Sequence, residues 1–418
     1  MVFENSLVFS RQCDVSDPLR EYRSRFHIPV IGGKETIYFS GNSLGLQPKS
    51  VPDHIRQELD DWKNLGVLGH LEGKNPWFYY HHRFTEPSAR IVGALPEEVV
   101  VMNGLTVNAH LLMVSFYRPT KQRFKILVED AVFPSDYYAV ESQAAFHGFE
   151  PQEAIIEAKA REGEYALRTQ DILRTIEEHG DTLSLVFMGG VNYFTGQYFD
   201  IKAITRKAHE VGALAGFNLA HAAGNVIMQL HDWNVDFACW CSYKYLNSGP
   251  GGPAGAFIHQ RHLNNPGIPR FAGWWGYDES TRFEMKKGFR PMKGADAWQL
   301  TNAPVLGMAA HYAALEIFDE VGMKALSEKS RRLTGYLHFL VKLIATEKGF
   351  TVITPDDPAQ RGCQLSMLTG ANGKALFDRI TKAGVIADWR NPNVIRVAPV
   401  PLYNTFEEVY RFAEILRG

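Results

Sequence analysis

Lys244 sits in the run Ser242-Tyr243-Lys244-Tyr245-Leu246-Asn247, just past the mostly apolar stretch Val235 to Trp240 and just before the glycine-rich run Asn247 to Pro253. A partly desolvated lysine gives up its charge readily, and the free amine condenses with a carbonyl to form an imine. A solvated surface lysine is the ordinary reading of any single lysine, and the flanking aromatics and glycines set this one apart. The segment Asn103-Gly104-Leu105-Thr106-Val107-Asn108, with a helix expected to open at Ala109, offers backbone N–H groups and a hydroxyl to a phosphate. A simple N-cap by Asn103 or Thr106 explains the same residues equally well. Phe133-Pro134-Ser135-Asp136 follows a strand, Lys125 to Glu129, with a helix capped by Ser135 or Asp136 after it. Phe133 is placed to stack on a pyridine ring and Asp136 to face polar atoms at its edge, although capping alone also accounts for Asp136. An imine-forming lysine, phosphate donors and a stacking aromatic together point to pyridoxal 5'-phosphate (PLP), carried on Lys244 as a Schiff base.

The elements that must hold these residues follow an α/β pattern. From about residue 96, short apolar runs alternate with amphipathic stretches, the signature of βαβ units and a mostly parallel sheet. In the clearest unit Leu183 to Phe187 is a strand, Ile201 to Glu210 a helix ended by Gly212, and Ala213 to Phe217 the next strand. Ligands of open α/β sheets bind outside the carboxyl ends of strands, which is where Asn218, His221 and Lys244 fall. The last hundred residues change character. A long helix begins near Pro304, strands follow at Phe350 to Ile353 and Val394 to Val397, and the capping box Thr405-Phe406-Glu407-Glu408 announces a final helix. The expected organisation is a large domain over residues 51–305 and a smaller α+β domain over 306–418, with residues 1–50 packing on the latter.

Forty-four basic against 46 acidic residues leave the 418-residue chain near neutrality, with no Lys/Arg run to track nucleic acid or an anionic membrane. The N-terminus lacks an apolar signal region, and no stretch reaches about 18 uninterrupted apolar residues, so a cytoplasmic protein is expected. Cys239 and Cys241 form a C-x-C pair without the second pair that a zinc site needs. They read as small apolar residues of a buried strand, and no metal is expected.

Seven motifs in order carry a resemblance: Tyr38 to Pro48 (YFSGNSLGLQP), Phe133 to Asp136, Phe194 to Gln197, Leu219-Ala220-His221, Ser242 to Asn247, Gly273 to Gly276 and Ile395 to Pro399. Through them the chain resembles the kynureninases, PLP enzymes of fold type I, over nearly its whole length. The resemblance implies a homodimer with PLP on Lys244, Phe133 stacked on the ring, and Ser135 and Asp136 beside it. Leu105, Thr106 and Tyr243 would take the phosphate, helped by the partner subunit's Trp274 and Asn302. Arg396 would hold the substrate carboxylate with a guanidinium fork that a lysine does not have. His221 would sit beside the cofactor and Ser43 near the substrate, while His70 and Asn302 fit the form that prefers 3-hydroxykynurenine. The reaction implied is hydrolysis to 3-hydroxyanthranilate and alanine, in tryptophan catabolism, with Lys244 as base and Tyr243 as a proton shuttle.

Three residues depart from the family pattern. Asn218 stands where the family has Asp in Asp-Leu-Ala-His, Gly189 where it has a Ser or Thr hydroxyl close to the cofactor, and Tyr277 where it has His. A neutral amide does not hold a proton on the ring nitrogen by charge, so a shallower electron sink is implied. The alternatives are another PLP reaction of the same fold, of transaminase or β-lyase type, a weakly active paralogue, or a non-catalytic binding protein that keeps the pocket.

Overall fold

The computed structural model describes residues 2–418. Helices α1 (Leu7–Val15), α2 (Leu105–Phe116), α3 (Pro134–Phe146), α4 (Ile201–Glu210), α5 (Val305–Lys348) and α6 (Phe406–Arg417) bear on the argument. The main sheet has seven strands: β1 (Val99–Val101), β2 (Lys125–Glu129), β3 (Ile155–Ala158), β4 (Leu183–Gly189), β5 (Leu214–Asn218), β6 (Phe237–Trp240) and β7 (Gly255–Ile258). Their order is β1-β7-β6-β5-β4-β2-β3. Strands β2 to β6 run parallel, and β7 is antiparallel to both of its neighbours. The mostly parallel sheet expected from the alternating pattern is therefore present.

A strand buried on both faces reads as a continuous apolar run, and β4 shows why. Leu183, Val186 and Met188 enter one core with Ile201, Ile204 and Ala208 of α4, while Leu185 and Phe187 enter another with Leu112 and Phe116 of α2 and Val140 of α3. The helix spacing of 201, 204 and 208 is the 3.6-residue period that puts one stripe on the sheet. The Asp200 side chain caps α4 by accepting from the Ala203 N–H at 3.0 Å.

A second sheet of four strands, β8 (Phe350–Val352), β9 (Leu365–Thr369), β10 (Asp388–Arg390) and β11 (Val394–Val397), is ordered β8-β9-β11-β10. Helix α5 joins the two layers. Before Gly322, which leaves helical geometry at φ 74°, its Met308, Leu315 and Phe318 pack in the main core; after it, Leu333, Leu337 and Val341 pack under the second sheet. The N-terminal segment joins that second core through Cys13 and Phe39. Ile37 and Tyr38 pair in parallel with Val385 and Ile386, and the Asp14 carboxylate accepts from the Phe406 and Glu407 N–H groups at the start of α6. The capping box is formed, Thr405 accepting from the Glu408 N–H at 3.1 Å. All four cysteines are buried and unpaired. Among the described residues no helix is long and apolar enough to cross a membrane.

Candidate active site

Three neighbouring strands end on one line: Glu129 closes β2, Gly189 closes β4 and Asn218 closes β5, with Gly189 and Asn218 in register. Their carboxyl ends, the loop after β6 and the first turns of α2 and α3 enclose a cavity of about 460 Å³. Lys244 lines it, four residues past β6. Its Nζ lies 2.9 Å from His221 Nε2 and 5.9 Å from the centre of the Phe133 ring. Burial lowers the Lys244 pKa, with Arg396 and Arg390 adding to the effect. Burial also holds His221 well below the usual imidazole range, and its Nδ1 is buried without a partner. A neutral imidazole therefore faces an amine whose protonated form is disfavoured, the state in which a lysine attacks a carbonyl.

The segment that holds Lys244 is clamped from the N-terminal region, where the Gly45 N–H donates to the Tyr243 carbonyl at 2.8 Å. A Cβ at Gly45 would stand 2.3 Å from the Lys244 carbonyl oxygen, so only glycine fits. Ser43 lines the cavity beside this clamp. Burial pushes the Tyr243 phenol up to about 12, which keeps its proton on at neutral pH.

Helix α2 starts at Leu105, four residues before the start expected at Ala109. Gly104 takes the N-cap position with no side-chain bond, and Asn103, at φ 51°, spends its amide on the Asn108 side chain at 3.0 Å. Neither Asn103 nor Thr106 caps the helix, so its first-turn N–H groups are left without a side-chain partner, and Gly104, Leu105, Thr106 and Val107 line the cavity. Ser135 and Asp136 are likewise not caps: α3 begins at Pro134 with Phe133 before it. Thr106 and Ser135 instead bring their hydroxyls to 2.9 Å from each other.

Capping thus does not explain Asp136. Its buried carboxylate accepts the Asn218 Nδ2–H through both oxygens, at 2.8 and 2.7 Å, and the Asn218 Oδ1 accepts from the Ala220 N–H at 2.9 Å. Burial pushes Asp136 up to about 6, against the pull of Asn218 and Lys244. Glu129 lies beside it, 3% exposed, both oxygens accepting the Gly189 N–H at 3.1 and 3.0 Å; burial pushes it up to about 7. Sequence reasoning missed Glu129, although an acid closing the apolar run Ile126-Leu127-Val128 at the carboxyl end of a strand was the available signal.

Arg396 is fully buried on β11, with Nη1 donating to the Tyr193 carbonyl and Nη2 to Asp388, each at 2.6 Å. The guanidinium that lines the cavity is Arg390 on β10, which shares Asp388 with Arg396. Nothing in the sequence marked Arg390. Three expected residues lie elsewhere: His70, Trp274 and Asn302 line a separate apolar hollow of about 530 Å³ with Leu68, Leu71 and Phe283. Tyr277 lines neither hollow; its ring packs edge-on against Phe289.

Lys244 supplies an amine for a carbonyl, the opening of α2 with two hydroxyls supplies donors for a phosphate, and Phe133 supplies a ring face, so the residues present fit PLP. Solved structures share the fold. A mutant of C-DES with glycine covalently linked to its PLP cofactor superimposes with a TM-score of 0.77 at 14% identity, over 91% of this chain and 96% of that one. The cysteine desulfurase CsdA of Escherichia coli gives 0.73 at 16%, over 95% and 97%. The architecture is that of the fold-type-I PLP enzymes. The family model "Kynureninase C-terminal domain" matches residues 326–416. Kynureninases from Flavobacterium psychrophilum and Myxococcus xanthus are 53% and 55% identical over all of this chain and 99% and 98% of their own. That of Nematostella vectensis is 48% identical over 98% of this chain and 93% of its own. The chain belongs to the kynureninase family.

Proposed function

We propose that this protein binds PLP on Lys244 and hydrolyses 3-hydroxykynurenine, and kynurenine with it, to the corresponding anthranilate and alanine. The observation that carries the reading is the desolvated Lys244 amine, 2.9 Å from a neutral His221, in a cavity with phosphate donors at the opening of α2. Residues 51–305 carry the cofactor site, and the unit made of 306–418 with 1–50 closes over it. Leu105, Thr106, Ser135 and Tyr243 take the phosphate, Phe133 covers the ring, and Asp136 with Asn218 meets its polar edge. When bound, PLP supplies an aldehyde for the substrate amine and a ring that accepts the electrons released at Cα.

Arg390 orients the substrate α-carboxylate, with Arg396 behind it holding the shared Asp388 in place, and Ser43 approaches the substrate from the N-terminal clamp. Lys244 Nζ, the desolvated amine of the cavity, would take the Cα proton and return it to Cα after the carbon–carbon bond has broken. Tyr243 Oη, still protonated at neutral pH, would deliver a proton to the carbon that becomes the alanine methyl group as the Cβ–Cγ bond breaks, and a water molecule would supply both the hydroxyl that completes the anthranilate carboxyl group and the proton that restores Tyr243. In the homodimer the partner's His70 and the partner's Asn302 reach the aryl ring, and the partner's Trp274 reaches the phosphate. The exposure of the hollow that holds these residues within one chain supports their working across an interface.

Incubating the PLP-loaded protein with 3-hydroxykynurenine and with kynurenine tests the reading. Alanine and the matching anthranilate are expected, with the higher kcat/KM for the hydroxylated substrate. An oxo acid, or no carbon–carbon cleavage, overturns it in favour of the transaminase or β-lyase reading. Lys244→Ala is expected to abolish both turnover and the absorbance of the lysine-bound cofactor.

A further inference from the structure

Asn218 is not free to play both parts of the carboxylate it replaces. Its Oδ1 accepts from the Ala220 N–H and its Nδ2 donates to both oxygens of Asp136, so the amide is pinned with its donor toward Asp136, and being neutral it brings no charge of its own. Glu129 differs. Both of its oxygens accept from the Gly189 N–H, its own backbone N–H also helps to hold the charge, and a carboxylate has about four lone-pair positions, so acceptor capacity remains. Among the described residues no cation pairs with it, yet it lines the same cavity as Lys244. A buried carboxyl held only by neutral backbone donors is costly to keep charged unless it meets a further proton or positive charge. The position depends on Gly189, since a Cβ there would come 2.7 Å from Glu129 Oε1.

We propose that Glu129 is a positioning residue for the cofactor: from the same cavity wall as Asp136 it would bring a second carboxyl group toward the ring-nitrogen end of PLP, supplying negative charge that the pinned, neutral Asn218 amide does not. The inference rests on the cofactor reading above. Gly189 and Asn218 then belong to one arrangement, because the missing Cβ at 189 admits the Glu129 carboxylate beside the amide. The titratable groups facing the pair are Lys244, the thiols Cys239 and Cys241 on the neighbouring strand and loop, and, across Lys244, His221, Arg390 and Arg396. Burial keeps the thiols protonated and the imidazole neutral, so neither supplies charge in the working range.

The full chain is titrated with PLP, and the absorbance of the lysine-bound cofactor is followed from mildly acid to alkaline pH. The comparison is between the native protein, Glu129→Gln and Gly189→Ala. Negative charge favours the protonated, long-wavelength form, so removing it lowers the pH at which that form is lost. Glu129→Gln is expected to lower this midpoint by about one pH unit and to weaken PLP binding about tenfold. Gly189→Ala, which displaces the carboxylate without deleting it, shifts both the same way by less. Adding Asn218→Asp to Glu129→Gln returns the midpoint toward the native value, a rescue that a purely structural role for Glu129 does not give. Native midpoint and affinity in both single variants overturn the inference while leaving the cofactor reading intact. If Glu129→Gln does not fold, the Gly189→Ala midpoint decides alone. Failure of the native chain to give any lysine-bound absorbance takes down both readings.

Discussion

An asparagine that donates to both oxygens of Asp136 within 2.8 Å makes its conversion to aspartate a test with two opposite readouts. Without cofactor, Asn218→Asp sets one buried carboxylate against another and removes a donor, which costs about 1–3 kcal/mol of stability at pH 8. The loss fades toward pH 5 as the pair takes up a proton. With PLP bound, the added charge deepens the electron sink, and turnover rises about tenfold, equivalent to about 1.4 kcal/mol of barrier. Thermal unfolding with and without PLP, beside product formation, reads both; slower turnover than native sinks the account of a shallow sink. Glu129 gives the matching prediction for pH. Its folded pKa is raised from 4.5 to about 7 by burial, so its contribution is fully present below the unfolded value and is lost as pH rises through the folded one. Glu129→Gln in the cofactor-free chain is therefore expected to change little near pH 4 and to stabilise by up to about 3 kcal/mol at pH 8, measured by denaturant unfolding.

At the scale of elements, much of the architecture was legible because it rests on periodicity. The apolar run at 183–187, the 201–204–208 stripe and the Thr405 capping box all became the elements they announced. The opening of α2 was misjudged by four residues because its N-cap, Gly104, bonds through no side chain and leaves no residue signature. Asp136 was ambiguous for a related reason, since an acid two residues after Pro134 looks the same whether it caps a helix or faces a cavity. Only the path of the chain decides. Arg390 was illegible altogether, as its place depends on how β10 pairs with β11 and on an aspartate shared with Arg396. The Gly45 clamp shows the same dependence on long-range contact and can be tested. An added Cβ meets the Lys244 carbonyl at 2.3 Å and the Asn247 side chain at 2.2 Å, so the segment carrying Lys244 must shift. Gly45→Ala is expected to lower PLP affinity and turnover at least tenfold, with the far-UV circular dichroism unchanged, because small misplacements of a reacting group are expensive.

At the scale of the whole molecule, the two hollows divide the expected site residues. Lys244, His221, Phe133 and Asp136 share the cavity at the strand ends, whereas His70, Trp274 and Asn302 line an apolar hollow whose Val67, Leu68, Leu71, Trp274 and Phe283 are exposed. Soluble monomers seldom leave so many large apolar side chains together in water, so this face is expected to be covered by a second copy of the chain. A charge placed at its centre separates the two proposals made for it. Leu68→Asp or Leu71→Asp buries an unpaired carboxylate in the interface and is expected to give monomers by sedimentation velocity. Because Lys244 and its neighbours belong to one chain, the lysine-bound absorbance should persist in those monomers. Turnover should not: without the partner's His70 and the partner's Asn302, it is expected to fall at least a hundredfold, with KM rising. A monomer with full activity would show that each chain completes its own site, and a dimer that survives both substitutions would move the interface elsewhere.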